Sequence, residues 1–153
     1  EGALRAVTET CPQIGVTRID VTDEAAIDQW FNDALDDLNG LDVLINNAGG
    51  GGRTGYVEEL MLDDWRRCLS LSLDAQFLCV RRAAPVMKRQ RSGSIINISS
   101  IAGLHGYYPQ HTPYAAAKWG VIGFTKTLAV ELGPYDVRVN AVCPGNVEGA
   151  SME

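Results

Sequence analysis

Tyr114 and Lys118 stand four residues apart in a stretch that reads as the start of a helix. That spacing puts both side chains on one face, one turn apart. A phenol is ordinarily neutral at pH 7, with a pKa of about 10. A nearby ammonium favours the phenolate and makes the tyrosine a usable proton donor and acceptor. Alone, such a pair is common in ordinary helices. Ser99-Ser100 lie just past the apolar run Ile95 to Ile98, and Ser100 precedes Tyr114 by 14 residues. Asn46-Asn47-Ala48-Gly49 follows another apolar run. Its small residues let a ligand approach the backbone, and its asparagines can tie adjacent loops together. The run Gly49 to Gly52 lacks the lysine and hydroxyl of a P-loop and the spacing of GxGxxG. It therefore reads as a flexible turn rather than a phosphate cradle.

The elements that must position these residues alternate between two periods. Ile14 to Val21 predicts a strand, and Glu1 to Thr10 before it reads as a helix end. Asp23-Glu24 opens an amphipathic helix with Ile27, Trp30, Phe31, Ala34 and Leu38 at helical spacing, stopped by Asn39-Gly40. Leu41 to Ile45 is a nearly continuous apolar run, the pattern of a strand covered on both faces. A long helix is predicted from about Leu62 to about Gln90, with Asp63 and Asp64 in its first turn. Arg81, Arg82, Lys88, Arg89 and Arg91 collect toward its end, which complements the helix dipole and reads as a helix terminus rather than a nucleic-acid patch. Ser94 to Ile98 is the next strand. Thr112-Pro113 starts a further helix that Gly133-Pro134 ends, and Val137 to Val142 is the last strand, closed by Pro144-Gly145.

The order β-α-β-α-β-α-β implies parallel strands joined by right-handed crossovers. The fold expected is a Rossmann-like doubly wound sheet in three α/β/α layers, with residues 1–153 forming one partial domain. In such sheets ligands sit beyond the carboxyl ends of the strands. Asp20, the asparagine pair, the serine pair and the Pro-Gly turn all fall at those ends. Their convergence on one edge gives weak single signals their weight.

Composition excludes several other readings. The chain has 153 residues, 46% hydrophobic and 21% charged, with a formal net charge of −6. That is globular rather than disordered, and a net negative surface repels phosphate backbones, so no nucleic-acid partner is expected. No apolar run is long enough to span a bilayer, no secretory leader is visible, and no membrane association is expected. Cys11, Cys68, Cys79 and Cys143 are scattered, which predicts reduced thiols in a cytoplasmic protein and no metal site.

Taken together, five segments resemble the classical short-chain dehydrogenases/reductases across essentially the whole chain. They are Asp20-Val21-Thr22, the NNAG of Asn46 to Gly49, the serine in Ile98-Ser99-Ser100, the YxxxK of Tyr114 to Lys118, and Pro144-Gly145-Asn146-Val147. The resemblance implies an NAD- or NADP-dependent oxidoreductase that interconverts a secondary alcohol and a ketone or aldehyde. It makes Tyr114 the acid/base, with Lys118 lowering its pKa and binding the nicotinamide ribose. Ser100 would polarise the substrate oxygen. Asp20 and Val21 would contact the adenine, Asn47, Ala48 and Gly49 would line the adenosine side, and Val147, after Pro144-Gly145, would meet the carboxamide.

Two departures stand out. Many family members carry an asparagine between the positions of Trp65 and Leu73–Phe77, where it supports a proton relay; here that position is Ser72, which the resemblance puts in the catalytic set with a shorter side chain and a weaker relay. The family's opening strand, its TGxxxGxG turn and its last strand have no counterpart. The chain is therefore expected to belong to a protein of roughly 250 residues. The strand at Ile14 to Val21 would then lack the neighbours that join it to the next.

The resemblance also implies a homo-oligomer, a dimer or tetramer built partly on Trp119, Val121, Ile122, Phe124 and Leu128. The substrate is expected to border His105, Tyr107, Tyr108 and His111. Two alternatives carry different chemistry: a non-catalytic nucleotide-binding or assembly subunit, and a sugar epimerase or dehydratase relative.

Overall fold

The computed structural model describes residues 9–11, 13–106 and 108–147. Helix α1 (Glu24–Leu38) starts where the Asp23 carboxylate accepts from the amides of Ala25 and Ala26, at 2.9 and 3.2 Å. This satisfies two of the amides that a helix start leaves open. The helix ends at Asn39, which takes a left-handed φ of 54°. Strands β1 (Val43–Asn46), β2 (Gly93–Ile98) and β3 (Val137–Val142) form a parallel sheet in the order β1-β2-β3.

The predicted long helix is continuous from Leu62 to Gln90 but is not uniform. It consists of α2 (Leu62–Leu69), a π-helical turn over Ser70–Asp74, and α3 (Ala75–Gln90). Helix α4 (Thr112–Leu132) has Pro113 in its first turn, where a missing amide hydrogen costs nothing.

Registers place Leu44 opposite Ile95 and Ile95 opposite Val139. This row joins Ile27 and Phe31 of α1, Val80, Ala83 and Met87 of α3, and Leu128 and Leu132 of α4 in one core. The Rossmann-like α/β architecture expected from the alternation is the one adopted. Among the described residues the core lies on one face of the sheet. The other face presents Val43, Ile45 and Val142, each about half exposed.

A polar chain crosses from sheet to helix inside this core. Asn46 Nδ2 donates to Asn97 Oδ1 at 2.9 Å, and Asn97 Nδ2 donates to Thr125 Oγ1 at 3.0 Å. The Thr125 hydroxyl then donates to the Val121 carbonyl at 2.7 Å. Asn46 therefore ties strands together, not loops.

One predicted strand is not formed. Residues 14–21 carry no ladder, because the free edge of β1 faces a groove of about 360 Å³ rather than another strand. A strand is defined by its partner, and apolar alternation supplies none. Ile19 still packs on the core, and the Asp20 carboxylate folds back onto Thr22, accepting from its amide and hydroxyl at 2.9 and 2.7 Å. The helix end read over Glu1 to Thr10 falls almost wholly outside the described residues.

Four of the five basic residues near the end of the long helix meet acidic or aromatic partners. Arg81 pairs with Glu24 at 2.6 Å, Arg82 with Asp28 at 3.4 Å and Arg91 with Asp136 at 3.0 Å. Lys88 lies over the Tyr135 ring. No helix among the described residues is long and apolar enough to cross a membrane.

Candidate active site

The carboxyl ends of the three strands and the first turns of α4 enclose a cavity of about 230 Å³. Asn47, Gly49, Ser99, Ser100, Tyr114, Lys118, Pro144 and Gly145 line it. Most of the residues singled out in the sequence thus meet in one place. Val21, Asn47 and Ala48 border the neighbouring groove beside β1, and Asn47 touches both spaces. Asp20 and Val147 are exposed and line neither space. Among the segment read as bordering the substrate, Tyr107 lies outside the described residues. The ring of Tyr108 stands edge-on to His111, whose Nδ1 is 2.8 Å from the Pro109 carbonyl.

Helical spacing delivers the tyrosine–lysine pair as expected. Lys118 Nζ is 5.6 Å from the centroid of the Tyr114 ring. The lysine is only 3% exposed, and its ammonium donates to the Ile98 carbonyl at 2.8 Å. Burial pulls the ammonium below the usual lysine range, a pull that only a thiolate at Cys68 or Cys143 would oppose.

The serine pair divides its labour. Ser99 donates to the Lys118 carbonyl at 2.8 Å and fixes the start of α4 to the end of β2. The Ser100 oxygen accepts from the Ala102 amide at 3.2 Å. That bond spends one lone pair and leaves the hydroxyl hydrogen to donate into the cavity.

Ser72 has no exposure and lies in the π-helical turn. Its hydroxyl donates to the Gly50 carbonyl at 2.9 Å and accepts from the Gly50 amide at 3.2 Å. Both bonds go to the glycine run, so this stretch is pinned rather than loose. A Cβ on Gly49 would lie 3.4 Å from Lys118 Nζ and 3.6 Å from Ser72 Oγ, ordinary van der Waals contact with both side chains. Ser72→Ala is expected to cost about 1–2 kcal/mol and to speed exchange at the Gly50 amide. Urea unfolding combined with hydrogen exchange checks both.

Sequence reasoning missed Gln76. Its side chain is 2% exposed and its Nε2 donates to the Ile98 carbonyl at 3.2 Å. The only sequence signal was an amide within the buried stripe Ala75, Cys79, Val80 and Ala83.

A parallel α/β sheet with serine, tyrosine and lysine gathered at its strand ends defines a Rossmann-type protein of the dehydrogenase kind. The family model for short chain dehydrogenase matches residues 1–153, and the chain belongs to that family. It is 50% identical over 130 residues to trans-4-hydroxycyclohexanecarboxylate dehydrogenase of Sinomonas cyclohexanicum, covering 85% of this chain and 49% of that protein. The solved structure of NAD+-bound xylitol dehydrogenase superimposes with a TM-score of 0.91 at 32% identity, over 99% of this chain and 58% of the other. ElxO with NADP bound gives a TM-score of 0.90 at 31% identity, over 97% and 61%. The chain spans about half the length of the curated relatives it matches.

Proposed function

We propose that the polypeptide carrying this chain is an NAD- or NADP-dependent oxidoreductase that interconverts a secondary alcohol and a ketone. The observation that carries this reading is the convergence of Ser100, Tyr114 and Lys118 on one cavity beside the Asn47–Gly51 backbone. The residues fit a dinucleotide. Gly49, Gly50 and Gly51 present bare backbone at the cavity wall, and Asn47 lines both the cavity and the groove beside β1. Asn47, Ala48, Gly49, Pro144 and Gly145 would hold it, with Asp20, Val21 and Val147 at its ends. When bound, the nicotinamide supplies or takes up the hydride.

The protein's own residues handle the proton. In the reductive direction Tyr114 gives its hydroxyl proton to the substrate oxygen as negative charge develops there. The Lys118 ammonium stabilises the resulting phenolate, and Ser100 donates a hydrogen bond to the same oxygen. The buried position of Lys118 strengthens this effect, because charge acts further where water is excluded.

Cyclic alcohols and ketones are the first substrates to test, given the relative that acts on a hydroxycyclohexanecarboxylate. The test is a panel of cyclic and open-chain alcohols and ketones, offered with NAD(H) and NADP(H) to the full polypeptide. Tight cofactor binding with no turnover across the panel would favour a non-catalytic nucleotide-binding subunit instead.

The protein is further proposed to be a cytoplasmic homo-oligomer, a dimer or tetramer, although Val121 and Leu128, expected at its interface, are buried within the chain itself. Trp65, Phe77 and Trp119 are 37%, 48% and 51% exposed on the α2–α4 side, and Phe77 meets Phe124 edge to face. Aromatic surface of this kind suits a helix-paired interface. Sedimentation velocity should show a species larger than the monomer, and a monomer at every concentration would exclude the interface.

A further inference from the structure

The Ile98 carbonyl sits where the sheet opens. β1 pairs with β2 as far as Asn46 opposite Asn97, whereas β2 and β3 stay paired to Ile98 opposite Val142. Two side chains donate to this one oxygen: Lys118 Nζ at 2.8 Å and Gln76 Nε2 at 3.2 Å. A carbonyl oxygen has two lone pairs, so it accepts both donors, and each bond draws on the same charge. The other end of the Gln76 amide is unsatisfied. Its Oε1 is buried, has no hydrogen-bond partner among the described residues, and belongs to a side chain lining the groove beside β1. Burying an amide oxygen unpaired costs free energy that a methionine of similar volume would not incur.

We propose that Gln76 is a positioning residue for Lys118. It occupies one lone pair of the Ile98 carbonyl and so limits that oxygen's hold on the lysine ammonium, whose charge then serves Tyr114. The proposal rests on the acid/base reading of Tyr114 and Lys118. The groups facing the ammonium are Tyr114 from α4, Cys68 from α2 and Cys143 beyond β3. Burial pushes the Cys68 thiol up, which keeps it neutral in the working range. Gln76 is the neutral contribution of α3.

With Gln76→Met, Ile98 has Lys118 as its remaining side-chain donor. The ammonium is drawn more tightly onto that oxygen and stabilises the Tyr114 phenolate less. In the full polypeptide, the pKa of Tyr114 is then expected to rise by about half a unit or more. It is read from phenolate absorbance, as wild type minus Tyr114→Phe, and needs no turnover. The turnover number should fall about threefold to tenfold while the cofactor KM stays within about twofold, the pattern of a lost transition-state contribution. Gln76→Leu repeats the test if the methionine variant does not fold.

An unmoved Tyr114 titration overturns the proposal, even if stability and activity decline together, since that is the mark of packing alone. If the wild type turns over no alcohol or ketone, the oxidoreductase reading fails. The phenolate titration still decides the role of Gln76.

Discussion

Tyr114→Phe is expected to lower turnover by about two to four orders of magnitude, the range that a positioned acid/base contributes. Cofactor affinity should change little, because the substitution removes one hydroxyl and leaves the ring in place. Steady-state rates and a fluorescence titration of the reduced cofactor on the same preparation separate the two effects. The loss should fall on kcat more than on KM, as for a group that acts in the transition state. Retained turnover would remove Tyr114 from the chemistry. The neighbouring charge sets the working pH. Lys118 is pulled below the usual lysine range by burial, yet its ammonium is the group that favours the Tyr114 phenolate. Activity in the oxidative direction should therefore fall once Lys118 loses its proton, at a pH below the usual lysine range.

Gly103→Val should have the largest effect on stability. A Cβ at Gly103 would lie 2.6 Å from the Lys118 carbonyl oxygen and 2.7 Å from Ser99 Oγ. The first is helix backbone, which cannot swing aside as a long side chain can. The short helical turn Ile101–Gly103 and α4 must separate, and with them the Ser99 bond that anchors Lys118. A cost of about 3 kcal/mol follows from such overpacking, or roughly 6–12 °C in melting midpoint for a domain of about 150–250 residues. Gly106→Val is the control, because nothing lies within 4 Å of a Cβ there. Thermal unfolding of the two variants side by side gives the answer. Equal midpoints would mean that the turn yields without loss.

What the sequence made legible was the chemistry of short range. Asp23, Asn39, Pro113 and the Gly133-Pro134 pair act within a turn of where they stand, and helix limits read from them agree with α1 and α4. The YxxxK pair was legible for the same reason, since helical spacing fixes its geometry. Features that depend on distant partners were not legible. Ile14 to Val21 has strand alternation but no ladder. The π-helical turn at Ser70–Asp74 is marked by the Ser72 bonds to Gly50, 22 residues away. The two serines looked alike in sequence. Only the Lys118 carbonyl beside one and the Ala102 amide beside the other distinguish an anchor from a hydroxyl with hydrogen to give.

The buried asparagine chain bears on how the sheet reaches its register. A slip of one position sends every side chain of a strand to the other face, and β3 opposes it, with Val137 and Val139 buried and Arg138 and Asn140 exposed. A slip of two restores the faces, and apolar packing alone would tolerate it. Asn46, Asn97 and Thr125 remove that tolerance. In a sheet shifted by two, Asn97 would no longer face Asn46, and each stranded amide would cost about 1–3 kcal/mol. The alternation of β3 thus rejects odd errors in its pairing, and the polar chain rejects shifts between β1 and β2. Between them they leave a single pairing in which the ends of β1, β2 and β3 stand level, the condition for Asn47, Ser100 and Pro144 to share one cavity.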